Sequence, residues 1–165
     1  MVMPQLSLKA RALKYLSSRE YSRLELARKL TPYAQDDDNV EALLDWLQES
    51  KFLSQERFFE SLVHRRAARY GNNRIVSELQ THGIDNVTLI NLRQELSKDE
   101  SARACDVLRR KFLQPPSDAV TCAKYMRFLQ QRGFSHSAVK VALKSAWRDE
   151  HAVQTDSGNS LPEDF

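Results

Sequence analysis

The feature that most constrains the fold is an internal repeat with a period close to fifty residues. A leucine that ends an apolar helical face recurs as Leu30, Leu79 and Leu129, at intervals of 49 and 50 residues. After each of the last two leucines come a glycine that stops a helix, an apolar residue and a capping residue, in the same register. The first copy is looser, because Pro32 and an aspartate-rich loop replace the glycine. A unit of this length buries little core alone, so we expect three units to stack on one another.

Each repeat is predicted to contain three helices, which gives nine in all. Apolar residues recur at helical spacing almost throughout, and no stretch shows the strict alternation of a half-buried strand. Ser22 with Glu25, and Ser97 with Glu100, match the capping-box pattern that starts a helix. Gly71 is predicted to stop the fourth helix. The helices with the clearest limits are expected at about residues 6–17, 72–82, 117–132 and 136–150.

We therefore predict an all-α fold of three tandem, helix-turn-helix-like repeats that form an elongated, curved body. The predicted units are residues 1–53 (unit 1), 54–97 (unit 2) and 98–150 (unit 3). Residues 151–165 lack apolar periodicity and are expected to form an acidic, flexible tail.

Charge is distributed unevenly along the chain. Residues 1–53 carry 8 basic and 8 acidic side chains, whereas residues 54–148 carry 17 basic and 9 acidic ones. Unit 3 up to Arg148 holds 11 basic and 4 acidic residues, and no Lys or Arg follows Arg148. This pattern predicts that any nucleic-acid surface lies toward the C-terminal side, ahead of an acidic tail.

The sequence offers little that could support catalysis. It contains no nucleophile-elbow, phosphate-loop, dinucleotide-binding or zinc-protease motif. The four histidines are scattered, and Cys105 and Cys122 do not have the spacing of a zinc site or a disulfide framework. We expect a protein that is not an enzyme, binds no metal or cofactor, and keeps two free thiols.

The N-terminal sixteen residues lack the uninterrupted apolar stretch of a signal peptide or membrane span. Lys9, Arg11 and Lys14 interrupt their apolar positions. We expect a cytoplasmic, soluble monomer with no membrane partner.

Clusters of basic residues on several helices indicate a surface for an anionic partner. Lys140, Lys144 and Arg148 recur every fourth residue on the last helix, on a face other than its apolar one. Each basic residue alone is typical of a solvated surface, but together they favour nucleic acid or an acidic protein groove. The candidate binding residues are Arg65, Arg66, Arg69, Arg74, Arg109, Arg110, Lys111, Lys124, Arg127, Arg132, Lys140, Lys144 and Arg148.

Two other interpretations concern how nucleic acid would be contacted. Most aromatic residues fit core packing, with base stacking on Phe128 or Tyr125 as the alternative. A three-helix unit with a glycine turn also resembles helix-turn-helix readers of duplex DNA. The recognition helix of unit 2 would then run from Asn86 to Glu95. Arg93 is its only basic residue, so sequence-specific recognition of duplex DNA has weak support.

Three segments resemble the RecX family of regulatory proteins of bacterial homologous recombination. They are Ser22-Arg-Leu-Glu-Leu-Ala-Arg-Lys-Leu30, the stretch from Leu53-Ser-Gln-Glu-Arg-Phe58 through Arg65, Gly71, Arg74 and Glu78 to Ile84, and Phe128-Leu-Gln-Gln-Arg-Gly-Phe-Ser135. Their order and spacing across three helical units make the combination specific, and the match spans about residues 6–150.

The resemblance implies three tandem three-helix repeats and binding to the RecA recombinase filament on single-stranded DNA. It also implies that the protein limits filament growth, and thereby the ATPase, strand-exchange and repressor-cleavage activities of RecA, in recombination and the SOS response. In that case the body lies along the filament groove and its cations face DNA phosphate or acidic RecA surface. Weak, unselective DNA binding is expected of the chain alone. The open alternative is an independent DNA-binding module with helix-turn-helix-like units.

Overall fold

In this computed structural model, which describes residues 4–148, the chain is all-helical. The predicted all-α class is confirmed, and nine α-helices and one short 3-10 turn, at Thr31–Tyr33, lie within this range. The helices are α1 Leu8–Ser18, α2 Arg23–Leu30, α3 Val40–Glu49, α4 Gln55–Ala67, α5 Asn72–Thr81, α6 Asn86–Ser97, α7 Glu100–Lys111, α8 Ala119–Gln131 and α9 His136–Ser145. The predicted tail and Glu150, the predicted end of the last helix, lie outside the described residues.

Short polar side chains start most of these helices. An oxygen of each capping side chain accepts a backbone N–H three residues later, which satisfies a donor that has no partner inside the helix. The residues that do this are Ser7, Ser22, Asn39, Ser54, Asp85, Asp118 and Ser135. Gly83 and Gly133 follow α5 and α8 in the left-handed conformation, with φ of 79° and 83°, as the repeat predicted.

The apolar residues form three separate cores, one for each set of three helices. Leu30, Leu79 and Leu129 are each 0% exposed. Each lies in a different cluster, surrounded by Leu8, Leu26 and Leu44 in the first and by other leucines, valines and aromatics in the other two. The spacing of these leucines thus reflects a repeated three-helix fold. The exact unit boundaries at 53, 97 and 150 stay predictions.

Two details of the predicted helix ends were wrong. Ser97 is the last residue of α6 and its hydroxyl donates to the Gln94 carbonyl, so it does not form a capping box with Glu100. Gly71 precedes α5 with an ordinary φ of −80°. It does not stop α4, which ends four residues earlier. Glu100 and Gly71 are instead used at a contact between unit 2 and unit 3.

That contact, the unit 2–unit 3 joint, brings residues 67–74 against residues 132–135 and α7. The Gly71 N–H donates to the Arg132 carbonyl at 2.9 Å, and the Asn73 N–H donates to the Gly133 carbonyl at 3.0 Å. A Cβ on Gly71 would lie 2.2 Å from the Phe134 backbone nitrogen. Only glycine allows so close an approach of two backbones at this position.

Unit 1 meets unit 2 in a different way. The Ser22 hydroxyl lies 2.9 Å from Nδ1 of His82, and Arg57 donates to Glu20 at 2.8 Å. The described residues contain no backbone-to-backbone hydrogen bond between unit 1 and unit 2. The connection therefore depends on side chains, whereas the unit 2–unit 3 joint also has paired main chains.

A basic groove as the candidate functional site

The candidate site is a groove where the end of α4 meets α7 and α8. Two neighbouring cavities form it and share Lys111 and Phe128 as walls. No acidic side chain lines either cavity within the described residues. We call this feature the basic groove and define it by its six cations: Arg69, Arg110, Lys111, Lys124, Arg127 and Arg132.

Two of the groove guanidiniums are held by the C-terminal end of α4. Arg110 donates to the Ala68 carbonyl, and Arg132 donates to the Arg69 carbonyl at 3.3 Å. Carbonyls at the end of a helix lack intrahelical partners and carry partial negative charge, so they attract cations. Backbone groups thus fix the positions of Arg110 and Arg132 and leave the formal charge of each side chain uncompensated.

Aromatic rings complete the walls of the groove. The Arg132 guanidinium lies 5.1 Å from the ring centroid of Phe128 and 5.5 Å from that of Tyr70. Cations are attracted to such ring faces. Tyr125 is buried and stacks on Phe112 with 3.9 Å between ring centroids, so the suggestion that it stacks on a base was wrong. Phe128 is half-buried and lines the groove.

The groove cations lack acidic partners among residues 4–148. None of the six forms a salt bridge there. By contrast, Arg66 is paired with Glu78 at 2.9 Å, and Arg109 with Asp106 at 2.6 Å. The hydrogen bond to Glu78 also raises the pKa of the Arg66 guanidinium. Six uncompensated cations in one concave surface produce a strong positive potential.

The other seven predicted site residues lie outside the groove. Arg109 lines an adjoining cavity beside Arg110, and Arg74 stacks over Tyr70 at 4.1 Å. Arg65 and Arg66 line a different cavity, beside Glu78 and Glu25. The remaining three, Lys140, Lys144 and Arg148, are exposed on or just after α9 and line none of these cavities. Their role in binding stays a prediction.

Sequence reasoning missed the residues that support the groove. These are the α4 carbonyls, Tyr70, and the pair Glu100 and Arg103 on α7. The signal available for the pair was its spacing of three residues, which puts a carboxylate and a guanidinium one turn apart on the same helix face. Its sequence context, with Ser97 three residues earlier, instead predicts a local cap for that carboxylate.

The described residues show no cluster suited to metal binding, and Cys105 is not placed to act as a nucleophile. No group of three or more His, Cys, Asp or Glu residues could hold a metal ion between residues 4 and 148. Cys105 is buried, and burial raises the pKa of its thiol, which keeps the thiol protonated and unreactive. In the same range no helix is long and apolar enough to span a bilayer.

Known proteins share the three-helix units and the overall fold of this chain. A family model described as the third three-helix domain of RecX matches residues 98–143, and one for the first three-helix domain matches residues 9–47. The crystal structure of RecX from Lactobacillus salivarius has the same fold, with a TM-score of 0.69 and 20% identity. The match covers 84% of this chain and 94% of that one.

Curated relatives match over nearly their whole length. Regulatory protein RecX of Herbaspirillum seropedicae is 66% identical over 150 residues, which are 91% of this chain and 97% of the relative. Regulatory protein RecX of Herminiimonas arsenicoxydans is 57% identical over 146 residues, 88% of this chain and 97% of the relative. Given these matches and the repeated three-helix fold, the chain belongs to the RecX family of regulatory proteins.

Proposed function

We propose that the chain binds the RecA filament on single-stranded DNA through the basic groove and limits growth of that filament. In this way it modulates the ATPase, strand-exchange and coprotease activities of RecA in recombination, DNA repair and the SOS response. The observation that carries the proposal is the groove itself, with six cations that have no acidic partner among residues 4–148. Such a surface suits a filament that presents DNA phosphate or acidic protein side chains.

Membership of the RecX family of regulatory proteins supports a binding role. A monomer in the cytoplasm acts on the filament without chemistry of its own in this proposal. Contacts at the groove and on α9 would bridge neighbouring RecA subunits. Binding is therefore expected to weaken as salt rises, because phosphate contacts release counterions.

The first test is RecA's ATPase activity on single-stranded DNA, titrated with this protein at well below one copy per RecA. Inhibition at that ratio is expected, because a protein that stops growth acts on many subunits at once. Mere competition for DNA would require near-equal amounts. Absence of inhibition at every ratio would contradict the proposal.

The independent DNA-binding module fits α6 less well. The exposed face of this helix presents Val87 and Ile90, which are 70% and 56% exposed. A helix that docks in the major groove also depends on cations that contact phosphate, and α6 has Arg93 as its only basic residue. Tight, sequence-selective binding to duplex DNA without RecA would favour this alternative.

The cations on and after α9 form a second part of the proposed surface. Replacement of Lys140, Lys144 and Arg148 by alanine is expected to weaken binding to RecA filaments about tenfold at 0.1 M salt, the effect of one or two lost phosphate contacts. Helicity and melting temperature should hardly change, since all three side chains are exposed. Filament binding is measured by fluorescence anisotropy and folding by circular dichroism. A folded triple variant with full affinity would remove these residues from the site.

A further inference from the structure

We infer that Glu100 and Arg103 of α7 are positioning residues of the basic groove, which they hold in shape from inside the unit 2–unit 3 joint. Neither side chain lines the two groove cavities. The inference deepens the proposed function and rests on it for the identity of the partner. In structural terms, the two side chains fix one turn of the chain, residues 67–72, against unit 3.

Glu100 is a buried carboxylate whose two oxygens are both used. It is 5% exposed. Its Oε1 accepts the Asn72 N–H at 2.9 Å and the Ser135 N–H at 3.0 Å, and its Oε2 accepts the Ser135 hydroxyl at 2.7 Å. A charge is kept in the interior only where such hydrogen bonds replace water. One carboxylate thus binds the N-terminal ends of α5 and α9 together.

Arg103 does the complementary task one turn farther along α7. Its side chain is 12% exposed. It donates to the carbonyls of Tyr70 at 2.9 Å and Ala67 at 3.3 Å, and it also bonds the side chain of Asn72. These carbonyls follow the last turn of α4. Glu100 therefore holds the Asn72 end of this turn through a backbone N–H, and Arg103 holds the turn along its length through two carbonyls and the Asn72 side chain.

This turn is also the part of the backbone that holds the groove cations. The Ala68 and Arg69 carbonyls, which lie between the groups bound by Arg103, accept the hydrogen bonds of Arg110 and Arg132. Arg69 itself is a groove cation on the turn. A shift of residues 67–72 away from α7 would separate Arg69 from Arg110 and remove the acceptors that orient two guanidiniums. The geometry of the groove is thus coupled to the hydrogen bonds of Glu100 and Arg103.

Three variants separate positioning from charge and from loss of a cap. Glu100→Ala removes the carboxylate. Glu100→Gln removes the same charge but keeps an oxygen that can accept the N–H groups of Asn72 and Ser135. The Ser135 hydroxyl can then accept a hydrogen bond from the NH2 group of the glutamine side chain. Asp85→Ala is the matched control. It also removes one negative charge and the cap of a helix, since Asp85 accepts the Thr88 N–H at 2.9 Å, but at a site away from the joint.

Affinity for preassembled RecA filaments on an oligo(dT) strand is measured over a series of salt concentrations at which every variant is fully folded. In Glu100→Ala the guanidiniums of Arg110 and Arg132 are expected to lose their alignment, and with it two phosphate contacts. The slope of log affinity against log salt concentration then falls by about 1.4, and the affinity at 0.1 M salt falls about 25-fold. Glu100→Gln should stay within about twofold of the parent, and Asp85→Ala should keep the parent slope. A purely structural role for Glu100 would change the folded fraction and leave the slope of the folded protein unchanged, which would overturn the inference.

Hydrogen exchange distinguishes failure of the inference from failure of the proposed function. The amides of Gly71 and Asn73, which donate across the joint, should exchange faster in Glu100→Ala than in Asp85→Ala or the parent. Unchanged exchange would show that Glu100 does not hold the turn, whatever the partner is. If the parent chain fails to bind the filament, the proposed function fails, and faster exchange would still support the role of Glu100 in the joint.

Discussion

A chain in which Lys111, Lys124 and Arg127 are replaced by alanine is expected to bind RecA filaments about 100-fold more weakly at 0.1 M salt. Each phosphate contact on a single strand contributes about 0.7 to the slope of log affinity against log salt, so loss of three contacts lowers the slope by about 2. Among residues 4–148 these three cations make no hydrogen bond outside their own helices, unlike Arg110 and Arg132. The measurement is filament binding as a function of salt.

The matched control removes three positive charges elsewhere. Lys14, Arg28 and Arg93 are exposed and form no salt bridge among the described residues. Their replacement by alanine lowers the net charge by the same amount and should change affinity only slightly, because distant charges are screened at this salt concentration. Equal losses in the two triple variants would mean that total charge, and not the groove, determines binding.

Gly133→Ala is expected to reduce the free energy of unfolding by about 2–5 kcal/mol, and Gly83→Ala by about 1–2 kcal/mol. Both glycines have a positive φ, which costs a residue with a Cβ about 1–2 kcal/mol. A Cβ on Gly83 meets nothing within 4 Å, whereas one on Gly133 would lie 2.6 Å from the Arg74 Cβ and 2.7 Å from its backbone nitrogen. Overpacking of this kind costs about 1–3 kcal/mol more.

The difference in free energy of unfolding between the two alanine variants gives the cost of overpacking at the unit 2–unit 3 joint, because the cost of the left-handed backbone is common to both. It is measured by urea denaturation followed by circular dichroism, with both variants and the parent at the same pH and salt. Equal stability of the two variants would contradict the close packing of residues 132–134 on residues 71–74.

The sequence was sufficient to predict the local structure and the repeat, because the residues that determine them are close together in the chain. The capping residues Ser22, Asp85 and Ser135 each act on an N–H three residues away. The spacing of the leucines predicted the repeat for a related reason: Leu30, Leu79 and Leu129 each lie in the core of their own unit.

The joint and the groove could not be predicted in the same way, because they depend on pairs that are distant in sequence. Glu100 was interpreted as part of a capping box with Ser97, a pattern that it fits locally, yet its partners are 28 and 35 residues away. Arg132 likewise finds its acceptor on Arg69, 63 residues earlier. Composition indicated that unit 3 is basic but not which of its cations share a surface.

The pairing of main chains at the unit 2–unit 3 joint has a consequence for how the repeats can be separated. In most tandem-repeat proteins each repeat contacts its neighbour through side-chain surfaces, so a repeat can be removed or duplicated with a modest loss of interface. Here the first turns of α5 and α9 share the carboxylate of Glu100, and removal of unit 2 takes away the Asn72 N–H that donates to this carboxylate. We therefore expect units 2 and 3 to unfold as one cooperative body.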